Sequence, residues 1–208
     1  MRSGLIWTNM HGKFIVFEGI DKSGKRTQAK MLVDHLHKQG KGVIYTQEPS
    51  PNNPAGRLII DWLSGKIELT SGEAITLLYT ADRNEHLKRV ILPMLAEGKS
   101  VVCDRYLYST MAYESSIFGV SQDWIRKLHE NVKKPDAVIF LDVEPDVSLA
   151  RKRARPHDRL EKADLLEKVR DAYRKMAKDE GFFVVNGDRP KEEVFADVKR
   201  IADRVLGI

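Results

Sequence analysis

Five short apolar runs, none of them alternating with polar residues, recur along this chain with longer helical periodicities between them. They read Phe14-Ile15-Val16-Phe17, Val43-Ile44-Tyr45, Val101-Val102-Cys103, Ala137-Val138-Ile139-Phe140-Leu141 and Phe182-Phe183-Val184-Val185. A strand with one wet face alternates apolar and polar residues. A continuous run is covered on both faces, as in parallel sheets whose crossovers are helices. The intervening segments supply such helices. Met31, Leu32 and Leu36 share a face ahead of Gly40. A segment over 71–96 carries Ala74, Leu77, Leu78, Ala81, Leu87 and Ile91 ahead of Gly98. Leu165, Val169, Ala172, Tyr173 and Met176 form a further stripe, and Val194, Val198, Ile201 and Val205 follow Pro190. The pattern predicts an α/β fold, a five-stranded parallel sheet flanked by helices in three layers. The organised pattern starts at Lys13. Residues 1–12 therefore read as an N-terminal extension that need not be ordered, and 13–208 as one domain. Met10 is an alternative start to Met1.

Charge and composition narrow the function classes. A net charge of +5 admits a nucleic-acid surface or a pocket for polyphosphates. The first would want clustered Lys and Arg interleaved with exposed aromatics. The charge is instead spread thinly except over 151–159, which holds no aromatic residue, so nucleic acid is not the expected partner. No apolar run nears the roughly 18 residues of a membrane-spanning helix, and the N-terminus lacks a secretory pattern. The lone Cys103 excludes an internal disulfide and suits a reducing cytoplasm, the expected location.

Directly after the first apolar run stands Gly19-Ile20-Asp21-Lys22-Ser23-Gly24-Lys25-Arg26-Thr27. This is G-x-x-x-x-G-K, the phosphate-binding P-loop, with Arg where Ser or Thr is usual. Its glycines let backbone N–H groups converge on phosphate oxygens, the following helix adds its positive N-terminal end, and Lys25 reaches for the terminal phosphates. A buried strand before the loop and an amphipathic helix after it supply the context the motif needs. All nine residues are therefore candidates for binding ATP. Arg26 cannot ligate Mg²⁺, because a guanidinium has no lone pair to offer. Mg²⁺ needs only one or two carboxylates beside phosphate oxygens, and Asp104 and Asp21 are the candidates, directly or through water. Asp21 is equally a good turn residue.

Several motifs together resemble thymidylate kinases, over residues 13 to about 205. They are Phe17-Glu18-Gly19-Ile20-Asp21 leading into Gly24-Lys25-Arg26-Thr27-Gln28, and Asp104-Arg105-Tyr106 with Ser109, Ala112 and Tyr113. Leu77-Leu78-Tyr79-Thr80-Ala81-Asp82-Arg83, Lys134-Pro135-Asp136 and Asp158-Arg159-x-Glu161 follow in the expected order. The resemblance implies a P-loop fold with a short Arg-rich lid over about 151–161, Mg²⁺ as cofactor, ATP and dTMP as substrates, and a homodimer. It implies that Tyr79 stacks on thymine, Arg83 bonds its carbonyl, and Thr110 touches the base. It puts Tyr113 against C2′ of the sugar, Asp21, Arg105 and Ser109 near the acceptor, and Arg153, Arg155 or Arg159 over the phosphates. By residue type alone, Tyr79 could be plain core, Arg105 half of a structural ion pair, and the basic run a solvated helix face. One departure stands out. Family members often carry Arg before Glu-Pro, where this chain has Gln47; Arg57 is the candidate substitute.

The implied reaction moves the γ-phosphoryl of ATP onto a dTMP phosphate oxygen. A monoester with a second pKa near 6 is already largely dianionic at neutral pH. No general base is needed, and no His–carboxylate pair is evident beside the motifs. A deoxynucleoside acceptor would need one, with Glu18 or Glu48 as candidates. Another monophosphate acceptor, or a nucleotide-binding regulator without catalysis, are the remaining alternatives.

Overall fold

The computed structural model describes residues 12–151 and 163–208. Its five strands are β1 (Phe14–Glu18), β2 (Val43–Gln47), β3 (Ser100–Asp104), β4 (Ala137–Asp142) and β5 (Phe183–Asn186). They form one parallel sheet in the order β2-β3-β1-β4-β5. The central strand β1 is buried along its whole length, as its unbroken apolar run requires. Its alternate side chains serve two cores. Ile15 and Phe17 meet Leu32 and Leu36 of α1 (Lys25–Lys38) and Val194 and Val198 of α9 (Lys191–Leu206). Phe14 and Val16 face the opposite layer, with Leu87, Ile91 and Leu95. That layer continues through α5 (Leu107–Phe118), α6 (Gln122–Leu128) and α8 (Ala163–Glu180), whose Met111, Ile125 and Tyr173 pack with Phe140.

At its start β1 is clipped to β4. Asp136 Oδ2 accepts the Phe14 N–H at 2.8 Å, and the Asp136 N–H donates to the Phe14 carbonyl at 2.7 Å. The Lys134-Pro135-Asp136 signal thus serves strand pairing at the edge of the sheet away from the phosphate loop. At the carboxyl ends, β1 and β3 finish side by side, Phe17 pairing with Asp104. The chain leaves β1 for β2 on one flank and reaches β4 on the other. This is the crevice where open α/β sheets bind ligands.

The helix expected over 71–96 is not continuous. It runs as α3 (Gly72–His86), a π-helical stretch Leu87–Ile91, and α4 (Leu92–Ala96). Pro93 explains the break. It has no N–H for the carbonyl four residues back, and its ring crowds that carbonyl. The helix widens instead, and the Leu92 N–H reaches the Leu87 carbonyl five residues earlier. The buried face also differs in part from the expected apolar stripe: Leu77 is 49% exposed, while α3 buries Ile75, Thr76, Asp82, Arg83 and His86. A polar face is turned inward because it packs on a polar neighbour. Asp82 accepts the Ser50 N–H at 2.9 Å and bonds Asn53, which caps α2 (Pro54–Leu63) by accepting the Gly56 N–H at 2.8 Å.

Candidate active site

The phosphate loop links β1 to α1. Gly19 takes φ +145°, and a Cβ there would lie 2.7 Å from the Leu141 carbonyl oxygen. Gly24 caps α1 at φ +100°. Both positions use a backbone region that side chains resist. Lys25 opens α1 and is only 5% exposed. Its Nζ donates to the carbonyls of Gly19 at 3.0 Å and Ile20 at 2.7 Å, and to Ser23 Oγ at 3.3 Å. Burial, with the neighbouring Arg105 charge, pulls its pKa down to about 8. The Ile20 side chain is in the core, so that residue offers the loop only its backbone, while Arg26 and Thr27 are exposed.

The loop lines a broad cleft of about 1530 Å³ with Asp104, Arg151, Arg189 and Lys191. Asp104 Oδ1 is buried there and has no hydrogen-bond partner among the described residues. Two braces hold the loop from β4's side of the sheet. Ser148 Oγ, on α7 (Pro145–Ala150), donates to the Asp21 carbonyl at 2.6 Å. Arg151 spans the Ser23 and Gly187 carbonyls at 3.4 and 2.7 Å.

Arg105 forms the hinge between this cleft and a second one. It follows β3 with φ +72°, a left-handed conformation that costs a non-glycine residue about 1–2 kcal/mol. Its N–H still reaches the Phe17 carbonyl at 2.9 Å, so the strain aims the side chain across the end of β1. The guanidinium pairs with Asp21 Oδ1 at 2.5 Å and donates to the Gly19 carbonyl at 3.2 Å and Ser109 Oγ at 3.0 Å. It also lies 5.0 Å from the centre of the Tyr113 ring. Tyr113 in turn donates to Asp21 Oδ2 at 2.8 Å and accepts the Asp21 N–H at 3.0 Å. Burial pushes the Asp21 carboxyl up, but Arg105 and Lys25 outweigh it and hold the group below the usual carboxylate range. Beneath the hinge, the fully buried Glu18 accepts from the Tyr106 and Ser109 N–H groups at 2.9 and 3.2 Å. The Ser109 and Tyr173 hydroxyls add bonds of 2.6 and 2.9 Å to its other oxygen. Glu18 fixes where α5 begins.

The second cleft is narrower, with about 520 Å³ between its walls and the solvent. Arg105 and Asp21 stand at one end, and Tyr79, Arg83, Thr110 and Glu114 line the rest. Arg83 is 1% exposed and every nitrogen is engaged. Nε donates to Glu48 Oε2 at 2.9 Å, Nη2 to Thr110 Oγ1 at 3.0 Å, and Nη1 contacts His129 Nε2 at 2.7 Å. His129 Nδ1 lies 2.8 Å from the Ile125 carbonyl, which fixes the proton on Nδ1 and leaves Nε2 to accept from Arg83. Burial and the Arg83 charge lower the His129 pKa to about 4, so it stays neutral. His86 Nδ1 meets Glu48 Oε1 at 3.1 Å. The expectation that no His–carboxylate pair exists near the motifs is therefore wrong. The partners are 38 residues apart and meet only in three dimensions.

Two clefts of different character thus meet at one Asp21–Arg105 pair, one ringed by a phosphate loop and cations, the other by an aromatic and an anchored arginine. The family model described as thymidylate kinase matches residues 17–198. The chain belongs to the thymidylate kinase family. A "Probable thymidylate kinase" of Pyrococcus abyssi is 42% identical, covering 95% of this chain and 98% of its own. Another from Pyrobaculum aerophilum is 39% identical over 93% and 97%. A "Thymidylate kinase" of Bradyrhizobium sp. is 38% identical over 95% and 87%.

Within this thymidylate kinase family member, the structure gathers Asp21, Arg105, Ser109 and Tyr113 at the hinge, and Tyr79, Arg83 and Thr110 in the smaller cleft. Arg153, Arg155 and Arg159 lie outside the described residues, as do the Asp158-Arg159-x-Glu161 signal and residues 1–11. Arg57, the candidate substitute for the arginine missing at Gln47, is exposed on α2 and lines neither cleft. From the sequence Glu18 and Glu48 had only a conditional part, Arg151 stood at the start of the expected lid rather than against the loop, and His129 and Glu114 carried no signal. Their type signals a solvated helix or loop, and only tertiary contact reveals them.

Proposed function

We propose that this chain is a thymidylate kinase transferring the γ-phosphoryl of Mg-ATP to dTMP, giving dTDP and ADP. The observation that carries the reading is the Asp21–Arg105 hinge, where a triphosphate cradle abuts a second cleft lined by Tyr79, Arg83 and Thr110. ATP would lie with its phosphates in the loop of residues 19–27, where Lys25 exchanges its loop carbonyls for phosphate oxygens. The acceptor phosphate would take Arg105 from Asp21. The sugar would lie against Tyr113, and the thymine between Tyr79 and the Arg83–Thr110 pair.

The chemistry asks for positioning and charge neutralisation rather than proton abstraction. The site is consistent with that demand. Glu18 and Glu48 already accept from Ser109, Tyr173, Arg83 and His86, so neither is free to deprotonate a nucleoside hydroxyl. A deoxynucleoside acceptor is thereby disfavoured. The lid arginines, Arg153, Arg155 and Arg159, would complete the cationic cover and exclude water.

The donor set suits Mg²⁺. Asp104 Oδ1 is buried and unpartnered at the phosphate cleft, Asp21 stands nearby, and no cluster of three or more candidate metal ligands occurs among the described residues. A cation that takes one or two carboxylates and otherwise phosphate oxygens fits this arrangement. When bound with ATP it would offset the charge shared among the transferring oxygens.

No helix among the described residues is long and apolar enough to cross a membrane. We place the enzyme in the cytoplasm, without a nucleic-acid partner, as a homodimer. Leu58 and Leu77, 45% and 49% exposed on the adjoining α2 and α3, support an apolar subunit interface there. The deciding assay is ADP release from ATP across a panel of nucleoside monophosphates, with thymidine as control. Highest kcat/KM on dTMP supports the reading, and preference for another acceptor overturns it.

A further inference from the structure

Glu114 has a carboxyl in the wall of the smaller cleft and yet is only 1% exposed. Its Oε2 is buried and finds no hydrogen-bond partner among the described residues. A carboxyl without a partner is costly in a protein interior, whether ionised or not. The charged groups around it are engaged with one another instead. Arg83 holds Glu48, Thr110 and His129, while Arg105 holds Asp21 and Ser109.

Its place on α5 indicates what it faces. Thr110 and Glu114 are four residues apart and share a helix face, as do Ser109 and Tyr113. From Leu107, beside Arg105, to Glu114 the axis rises about 10 Å at 1.5 Å per residue. A nucleotide with its phosphate on Arg105 therefore brings its base, not its charge, to Glu114. Bases of the pyrimidinedione type present neutral carbonyl oxygens, which accept hydrogen bonds and donate none.

We propose that the Glu114 carboxyl is a specificity-determining group of this cleft, donating its O–H to a carbonyl oxygen of the base of the bound nucleotide. The proposal rests on the thymidylate reading of the site and adds a base contact to it. Burial alone supports the required state, raising the Glu114 pKa to about 8 and keeping the group an acid at neutral pH. Facing the cavity are Asp21 and Glu48 from the loops, Tyr79 and Arg83 from α3, and Arg105, Tyr106 and Tyr113 at the start and along the length of α5; Tyr173 approaches from α8. None of these makes an ion pair or hydrogen bond with Glu114. Above its pKa the group becomes a bare carboxylate that can only accept, and it would repel the carbonyl it had bound.

The test is dTMP binding by calorimetry, without ATP, on the full chain and on Glu114→Gln, whose amide donates at every pH. Wild type should lose about tenfold or more in affinity between pH 7 and 9.5, and should take up protons on binding near pH 8.5 in buffers of different ionisation enthalpy. Glu114→Gln should lose at least about threefold less affinity over that range and take up fewer protons. Lys25 and the base titrate identically in both proteins, so the difference reports Glu114. Glu114→Leu, should the amide variant not fold, is expected to raise KM for dTMP about tenfold at pH 7 while leaving KM for ATP in place. Equal pH profiles and equal proton uptake in wild type and Glu114→Gln overturn the proposal. So does a Glu114→Leu variant with unaltered KM for dTMP. If dTMP neither binds nor turns over in wild type, the failure belongs to the thymidylate reading instead.

Discussion

Replacing Lys25 with Met should make this protein inactive and more stable. The folded chain holds an ammonium that is 5% exposed, with a pKa about 8 against 10.5 outside. At about 1.4 kcal/mol per pH unit, keeping that proton costs the folded state roughly 3 kcal/mol. The carbonyls it contacts are not orphaned by its loss. Gly19 still accepts from Arg105 at 3.2 Å, and Ile20 from the Ser23 N–H at 3.2 Å. Methionine fills similar space without a charge. Allowing for the hydrogen bonds lost, we expect a net gain of about 1–3 kcal/mol at pH 7. For a chain this size that raises Tm by several degrees, at about 2–4 °C per kcal/mol. The sign with pH is fixed. A cation with a depressed folded pKa costs stability fully below pH 8, and that cost fades between about 8 and 10.5 as the folded form releases its proton first. Thermal melts of both proteins without nucleotide, at pH 7 and pH 10, check this. The advantage should shrink at the higher pH while dTMP-dependent ADP release stays at least about a hundredfold down. A variant less stable than wild type at pH 7, or a gap that ignores pH, refutes the reasoning.

Arg83→Met should lower stability by about 3–5 kcal/mol, because it strands Glu48 at 2% side-chain exposure with only His86 beside it; urea melts measure it. In Tyr113→Phe, the Asp21 carboxylate loses a donor and the ring its hydroxyl. Discrimination between dTMP and UMP should fall about tenfold in kcat/KM, and an unchanged ratio removes Tyr113 from sugar selection. Arg26 is exposed, and Arg26→Ser should keep or raise kcat with Mg-ATP. A total loss there would assign Arg26 to the transferring phosphate.

The sheet was legible because burial on both faces leaves so plain a mark. The run at Val43-Ile44-Tyr45 became Val43–Gln47, and the run at 182–185 became Phe183–Asn186. The helix α5 was not legible as a helix. It is packed by α3, α6 and α8 and lines a cleft, so no polar stripe marks it. Likewise α3 turns Asp82, Arg83 and His86 inward and Leu77 outward, against the rule that the apolar face is the buried one. The phosphate loop was legible as a motif, whereas the Arg83–Glu48–His86–His129 network was not. Its members come from three segments, α3 supplying both Arg83 and His86, and no spacing links those two to Glu48 or His129.

The position of β1 sets an order on synthesis. The strand that carries the phosphate loop is central, and both its neighbours lie far along the chain, β3 at Ser100–Asp104 and β4 at Ala137–Asp142. A ribosome that has released the loop has delivered neither of the walls that hold it. At about 5–20 residues per second the missing strands follow only after several seconds or more, and pairings this distant in sequence are slow to form. The nascent chain therefore carries its nucleotide motif long before it can grip a nucleotide, and needs shelter for the apolar β1 through that interval.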